Sequence, residues 1–159
     1  MNITKTLDSY KMGFNDLQNA LREFPMEMWD FKPAPDKWSI KEILIHITDS
    51  EINGYMRCRM IISQSGSTIT PYDQDAWAAN LNYSASSIDT AQEIFRLLRV
   101  VNYSLLKNLK EETWNNYVSH PENGKITLKE WLNIYTSHVH THINQMKRNY
   151  DAWKNSADN

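Results

Sequence analysis

One cysteine, four glycines and five prolines in 159 residues remove several options before any motif is considered. With Cys58 alone no intrachain disulfide can form, which fits a reducing compartment. So few glycines and prolines argue against a loop-rich or β-rich chain. No run approaches the roughly 20 apolar residues of a membrane span, and the opening MNITKTLDSYKMG lacks the apolar segment of a secretory signal. The protein is therefore expected to be soluble and cytoplasmic, with no membrane partner. Neither sign of charge dominates, since 17 Lys plus Arg stand against 19 Asp plus Glu for a formal net charge of −2. That balance gives a phosphate backbone nothing to bind, so no nucleic-acid partner is expected.

What the chain does have is helical periodicity and aromatic mass. Its length fits a single domain, 1–159, with one substantial core, and six Trp and eight Tyr supply much of the bulk. Leu7, Tyr10, Phe14, Leu17, Leu21 and Phe24 recur at helical spacing, and Pro25 ends that pattern. A proline-bearing connector follows, which Trp29 and Trp38 are expected to pin to the core. Ser39 opens a second helix through a capping box with Glu42. Ile40, Ile43, Leu44, Ile47, Glu51, Gly54 and Tyr55 share one face of it, and Cys58 is expected there as a buried structural thiol.

Residues 65–87 form a polar, turn-rich crossover in which Tyr72, Trp77 and Tyr83 either line a pocket mouth or anchor the loop. Ser86 and Ser87 lead into a third helix of roughly 20 residues. Ile88, Ala91, Ile94, Phe95, Leu98, Val101, Leu105 and Leu109 form its apolar stripe, with Arg96, Arg99, Lys107 and Lys110 as a solvated face. After a connector over 111–125, the capping box of Thr127 with Glu130 starts a fourth helix that runs to Tyr150. SIKEILIHITDS at 39–50 aligns without gaps against TLKEWLNIYTSH at 127–138. Two helical hairpins of related sequence, joined by a long connection, are the expected all-α architecture.

The fourth helix carries the chemistry. His138 and His142 fall within its apolar stripe one turn apart, whereas His140 projects from the far side. Burying two imidazoles without partners is costly. The i, i+4 spacing brings the rings close enough to share one ion, although bonds to backbone carbonyls or a carboxylate would also satisfy them. His46, at the margin of the second helix's buried face, completes a three-nitrogen set if the two helices are neighbours. Such a set leaves a position open for water or substrate, and it suits Zn, Ni, Co, Fe or Cu about equally. Asp49, one turn beyond His46, is placed to orient that imidazole through its second nitrogen.

WSIKEILIHITDSE at 38–51, with PENGKITLKEWL and then HxxxHxxQ at His138, His142 and Gln145, resembles the DinB/YfiT-like superfamily of bacterial metalloproteins. The resemblance covers nearly the whole chain. It implies a four-helix bundle of up-down-down-up topology with a long crossover between helices 2 and 3. It also implies a divalent metal, most often Zn or Ni, on His46, His138 and His142, and a homodimer. Members of that superfamily include thiol-dependent S-transferases and isomerases as well as metal-dependent hydrolases, so a small-molecule substrate, with a low-molecular-weight thiol among the candidates, is implied. Three functions follow for this chain: bacillithiol-type thiol transfer onto small electrophiles, hydrolysis of a small ester, amide or lactam, and metal binding without catalysis. Asp49 and Glu51 are the candidate catalytic residues, Glu51 as the general base of the hydrolytic reaction. No arginine or lysine stands out as an anchor for an anionic thiol.

Overall fold

In the computed structural model, which describes residues 2–157, four long helices account for most of the chain. They are α1 (Ile3–Leu21), α2 (Ile40–Ser63), α4 (Ile88–Leu106) and α5 (Leu128–Ala157), with a short α3 (Gln74–Asn80) inside the crossover. Each long helix starts where a polar side chain can serve the free backbone donors of a first turn. Asn2 and Ser87 cap α1 and α4. Ser39 and Glu42 form the reciprocal capping box of α2, and Thr127 and Glu130 do the same at α5. Ser39→Ala will lower stability by about 1 kcal/mol, a fall in melting temperature of roughly 2–4 °C, which thermal unfolding followed by circular dichroism will detect.

The direction of each helix can be read from its contacts. Gln18 and Phe14 of α1 meet Gln92 and Phe95 of α4, so those two run antiparallel. Tyr10 of α1 and Phe24 just beyond its end lie by Trp131 and Tyr150 of α5, so those helices run parallel. Thr48 and Arg59 of α2 bond Ala91 and Asn102 of α4, a second parallel pair. The result is up-down-down-up. Both α1 and α2 pack against α4 and α5. The two members of each expected hairpin, α1 with α2 and α4 with α5, are thus diagonal rather than paired, which corrects that expectation: connectors of more than a dozen residues let the chain cross the bundle end.

Three other expectations change. The connector before α5 holds a two-stranded antiparallel ribbon, β1 (Tyr117–His120) and β2 (Gly124–Thr127), in register from Tyr117 opposite Thr127 to His120 opposite Gly124. Strands of four residues are too short to show a period, and Gly124, at φ +68°, supplies the turn that joins them. α5 continues past Tyr150 to Ala157. α4 is rotated from its expected orientation: its buried residues are Ala91, Phe95, Arg99, Asn102 and Leu106, while Ile94 and Val101 are exposed. Arg99 is therefore interior, not part of a solvated face.

The core has two main parts. One gathers Leu17, Ile43, Ile47, Phe95, Val139 and Met146. The other gathers Tyr10, Cys58, Ile61, Leu128, Trp131 and Tyr135. Cys58 lies inside the second, where burial pushes its thiol up to about 12 and keeps it protonated. Among the described residues no helix is long and apolar enough to cross a membrane.

Candidate metal centre

His46 is in the second turn of α2, and His138 and His142 lie midway along α5, where the two helices pack. All three rings turn Nε2 inward. The Nε2 atoms are 3.3 Å apart for His46 and His138, 3.1 Å for His46 and His142, and 3.0 Å for His138 and His142. Three nitrogens bound at about 2.0–2.1 Å to one tetrahedral ion would stand roughly 3.3–3.4 Å apart. The observed triangle is close to that size. A proton bridges one side of it at a time, whereas a cation held between the rings would engage all three lone pairs at once. The residues present fit a divalent metal, with one position left for a fourth ligand.

The surroundings keep the rings neutral. Burial lowers both His46 and His138 to about 3, helped at each by neighbouring imidazoles. Burial lowers His142 too, against a hydrogen bond from its ring to Gln145. That bond, 2.8 Å from Nδ1 to the amide oxygen, puts the proton on Nδ1 and leaves Nε2 free to bind an ion. Gln145 thus fixes the tautomer. His140 is outside the group, 3.7 Å from Asp16 on the solvent side.

Asp49 does not contact the second nitrogen of His46. The Tyr72 hydroxyl lies 3.4 Å from that Nδ1, with the two rings stacked, and Asp49 instead accepts a 2.6 Å hydrogen bond from Tyr83. The Tyr83 hydroxyl also bonds that of Tyr72. A short relay therefore runs from Asp49 through two tyrosines to His46. Burial holds the Tyr72 phenol up at about 12, so it serves as a neutral hydrogen-bonding group. Trp38 packs its ring 4.7 Å from His46, and Trp77 packs 4.7 Å from Tyr72. Tyr83 is an anchor, fully buried, whereas Tyr72, beside His46, and Trp77, against Tyr72, are half-buried.

Glu51 is buried apart from the triangle. One of its oxygens accepts from the Tyr10 hydroxyl and the other pairs with Arg99 at 2.9 Å. Burial nonetheless raises its carboxyl, against the pull of Arg99.

Two groups near the site have roles that the sequence alone does not assign. Gln145 closes the HxxxHxxQ motif, which by itself assigns it no role. Arg57 is absent from the expected site, although it follows His46 by three helical turns on the same face of α2. It is half-buried, donates to the Thr70 carbonyl at 3.3 Å and bonds the Tyr135 hydroxyl. The Tyr135 ring lies 6.5 Å from that of His138. The spacing of eleven from His46 was the available signal.

Comparison with known proteins places this arrangement. A protein of Oceanobacillus iheyensis named a candidate metal-dependent hydrolase is 27% identical over 127 residues, 80% of this chain and 73% of its own. A Bacillus cereus protein named in the same way is 26% identical over 128 residues, with the same coverage of 80% and 73%. Among solved structures, YfiT from Bacillus subtilis, described as a candidate metal-dependent hydrolase with an unusual four-helix bundle topology, superposes with a TM-score of 0.84 at 22% identity. That match covers 92% of this chain and 84% of YfiT. A mycothiol-dependent maleylpyruvate isomerase superposes with a TM-score of 0.72 at 12% identity over 92% of this chain and 61% of its own. Both likenesses bear on the fold. The family model of the DinB superfamily matches residues 10–146, nearly all of the four-helix bundle and all three histidines, and the chain belongs to that superfamily.

Proposed function

We propose that the chain is a divalent-metal enzyme, with Zn or Ni at His46, His138 and His142, that transfers a low-molecular-weight thiol of the bacillithiol type onto small electrophiles. The observation that carries this reading is the triangle of Nε2 atoms 3.0–3.3 Å apart in a half-buried setting. A divalent ion there would act as a Lewis acid on whatever takes the open position, lowering the pKa of a thiol or of water.

Two features favour thiol over water. A thiol ionises near pH 8.5 unaided and water only at far higher pH, so hydrolysis leans more on a general base. Glu51, the expected base, is engaged by Tyr10 and Arg99. The second feature is Arg57, a cation with no carboxylate ion pair among the described residues, which gives a carboxylate-bearing thiol a place to anchor.

The side chains then divide the work. Gln145 and Tyr72 hold the His142 and His46 rings, and Asp49 steadies Tyr72 through Tyr83, a positioning role. Trp38 and Trp77 present apolar walls to the electrophile. In the transfer a carbon–sulfur bond forms as the bond to the leaving group breaks. The leaving group departs with its electron pair, and the thiol proton passes to solvent. Hydrolysis of a small ester, amide or lactam is the second reading, favoured by the names of the relatives. The exposed Ile94, Leu97, Val100 and Val101 of α4 offer the homodimer a surface.

Elemental analysis of the purified protein beside His142→Ala tests the centre. About one divalent ion per chain is expected in the first and a loss of at least tenfold in occupancy in the second. Equal metal in both would remove the basis for either reaction. Consumption of N-acetylcysteine with monochlorobimane, dependent on metal, supports thiol transfer; turnover of p-nitrophenyl acetate without thiol consumption would replace it with hydrolysis.

A further inference from the structure

α4 is oriented against its own hydrophobicity. Arg99 is 2% exposed and Asn102 is 0% exposed, whereas Leu97, Val100 and Val101 are 46%, 53% and 46% exposed. A helix placed by apolar burial alone would turn the other way. The hydrogen bonds of Arg99 account for the orientation. Its Nη1 donates to the Tyr10 carbonyl of α1 at 2.9 Å, and its Nη2 donates to the Tyr135 carbonyl of α5 at 2.7 Å. The same Nη2 is 2.9 Å from Glu51 of α2. One guanidinium on α4 therefore grips the other three long helices.

The network extends on both sides. The Tyr10 hydroxyl donates to Glu51 and accepts from Asn102 Nδ2 at 3.0 Å, and Asn102 Oδ1 accepts from Arg59 at 2.8 Å. Gly13 leaves room for it, since a Cβ there would lie 3.1 Å from Arg99 Nη1.

Net stability does not explain this arrangement. Replacing a buried ion pair with apolar side chains of similar volume is often neutral or stabilising. What such a pair does better than a leucine stripe is fix register. A slip of one residue moves a helix about 1.5 Å and turns it about 100°. Apolar stripes can repack around such a shift, but a guanidinium bonded to fixed oxygens cannot follow it. A metal site needs ligand distances within about 0.2 Å. Tyr135 precedes His138 by less than one turn, and Glu51 follows His46 by little more than one. Arg99 thus ties together the two helices that carry the imidazoles, next to the imidazoles themselves.

We propose that Glu51 and Arg99, completed by Tyr10 and Asn102, form a register lock that holds α2 and α5 where the three Nε2 atoms converge. Glu51 and Arg99 are positioning residues for the metal centre. The inference rests on the metal reading above and adds to it what sets the geometry.

The test uses the full chain, Zn(II) competition titration and the visible spectrum of the Co(II)-loaded protein. Glu51→Leu/Arg99→Met removes both charges together. It is expected to unfold cooperatively at or above the wild-type temperature yet bind Zn(II) about 10- to 100-fold more weakly, the range that partners of metal ligands command. Its Co(II) absorption is expected to change in intensity. Wild-type affinity and spectrum in the folded double variant would overturn the lock while leaving the metal reading intact. Arg99→Lys covers the case in which the double variant fails to fold. It keeps the charge but offers a single nitrogen where Arg99 uses two, set apart by the guanidinium plane, to reach three helices, so a several-fold loss of affinity is expected and wild-type affinity would overturn the lock. No binding by the wild-type protein would overturn both readings.

Discussion

The metal-free protein is expected to lose stability steeply as the pH falls below about 6.5, the pH at which imidazoles in the unfolded chain take up protons. In the folded chain burial holds His46 and His138 neutral down to about 3. Between those limits the unfolded state binds more protons, so acidification favours unfolding. Each group contributes about 1.36 kcal/mol per pH unit, and the two together remove roughly 5 kcal/mol between pH 6.5 and 4.5. Against a typical total of about 5–15 kcal/mol, that brings the metal-free chain near its unfolding midpoint. Asp49 and Glu51 act in the opposite direction, because burial raises both carboxyls and acid then favours the fold. The imidazole contribution is isolated by comparison with His138→Gln. Urea unfolding at four pH values from 7.5 to 4.5 should give a slope shallower by about one proton in that variant. Parallel slopes would mean that the triangle accepts a proton without loss. Saturating Zn(II) is expected to displace the whole acid limb to lower pH, since the metal competes with protons for the same lone pairs.

Much of the fold is written locally. Ser39 with Glu42 and Thr127 with Glu130 mark two helix starts to the residue, because a capping box is satisfied by neighbours in sequence. His138 and His142 are legible as a pair for the same reason, since one turn of helix sets their separation. His46 could be added only through the supposition that α2 and α5 touch, a tertiary fact supplied by the family resemblance. Tyr72 and not Asp49 partners His46: Asp49 looks well placed on a bare helix, while Tyr72 arrives from a crossover with no period of its own. Arg99 is expected outside because an isolated arginine in an amphipathic helix is ordinarily solvated. Its interior position depends on Tyr10, Glu51 and Tyr135 from three other helices, and no pattern within α4 encodes them. Local chemistry thus gave the helices, and contacts between helices gave the roles of the polar residues inside them.

The closeness of α2 and α5 itself predicts the second large effect. Trp131 is 1% exposed, and its indole Nε1 donates to the Gly54 carbonyl at 3.0 Å. Its ring lies 5.7 Å from that of Tyr10 and 4.9 Å from that of Tyr135. Gly54 has no side chain to push Tyr135 away; a Cβ there would stand 2.4 Å from the Tyr135 ring. Trp131→Ala removes the largest wholly buried side chain at this junction and is expected to lower stability by about 3–5 kcal/mol, or roughly 10 °C in melting temperature. Trp131→Phe keeps most of the apolar contact and loses mainly the hydrogen bond, so about 1–2 kcal/mol is expected. The ratio of the two decides what the tryptophan does. A large loss in both would make the bond to Gly54 the principal contact, whereas a large loss in Trp131→Ala alone would make it packing. If packing dominates, Tyr135 will settle into the vacated space and carry the next turn of α5 with it. Zn(II) affinity should then fall in Trp131→Ala and hold in Trp131→Phe, because His138 is on that turn.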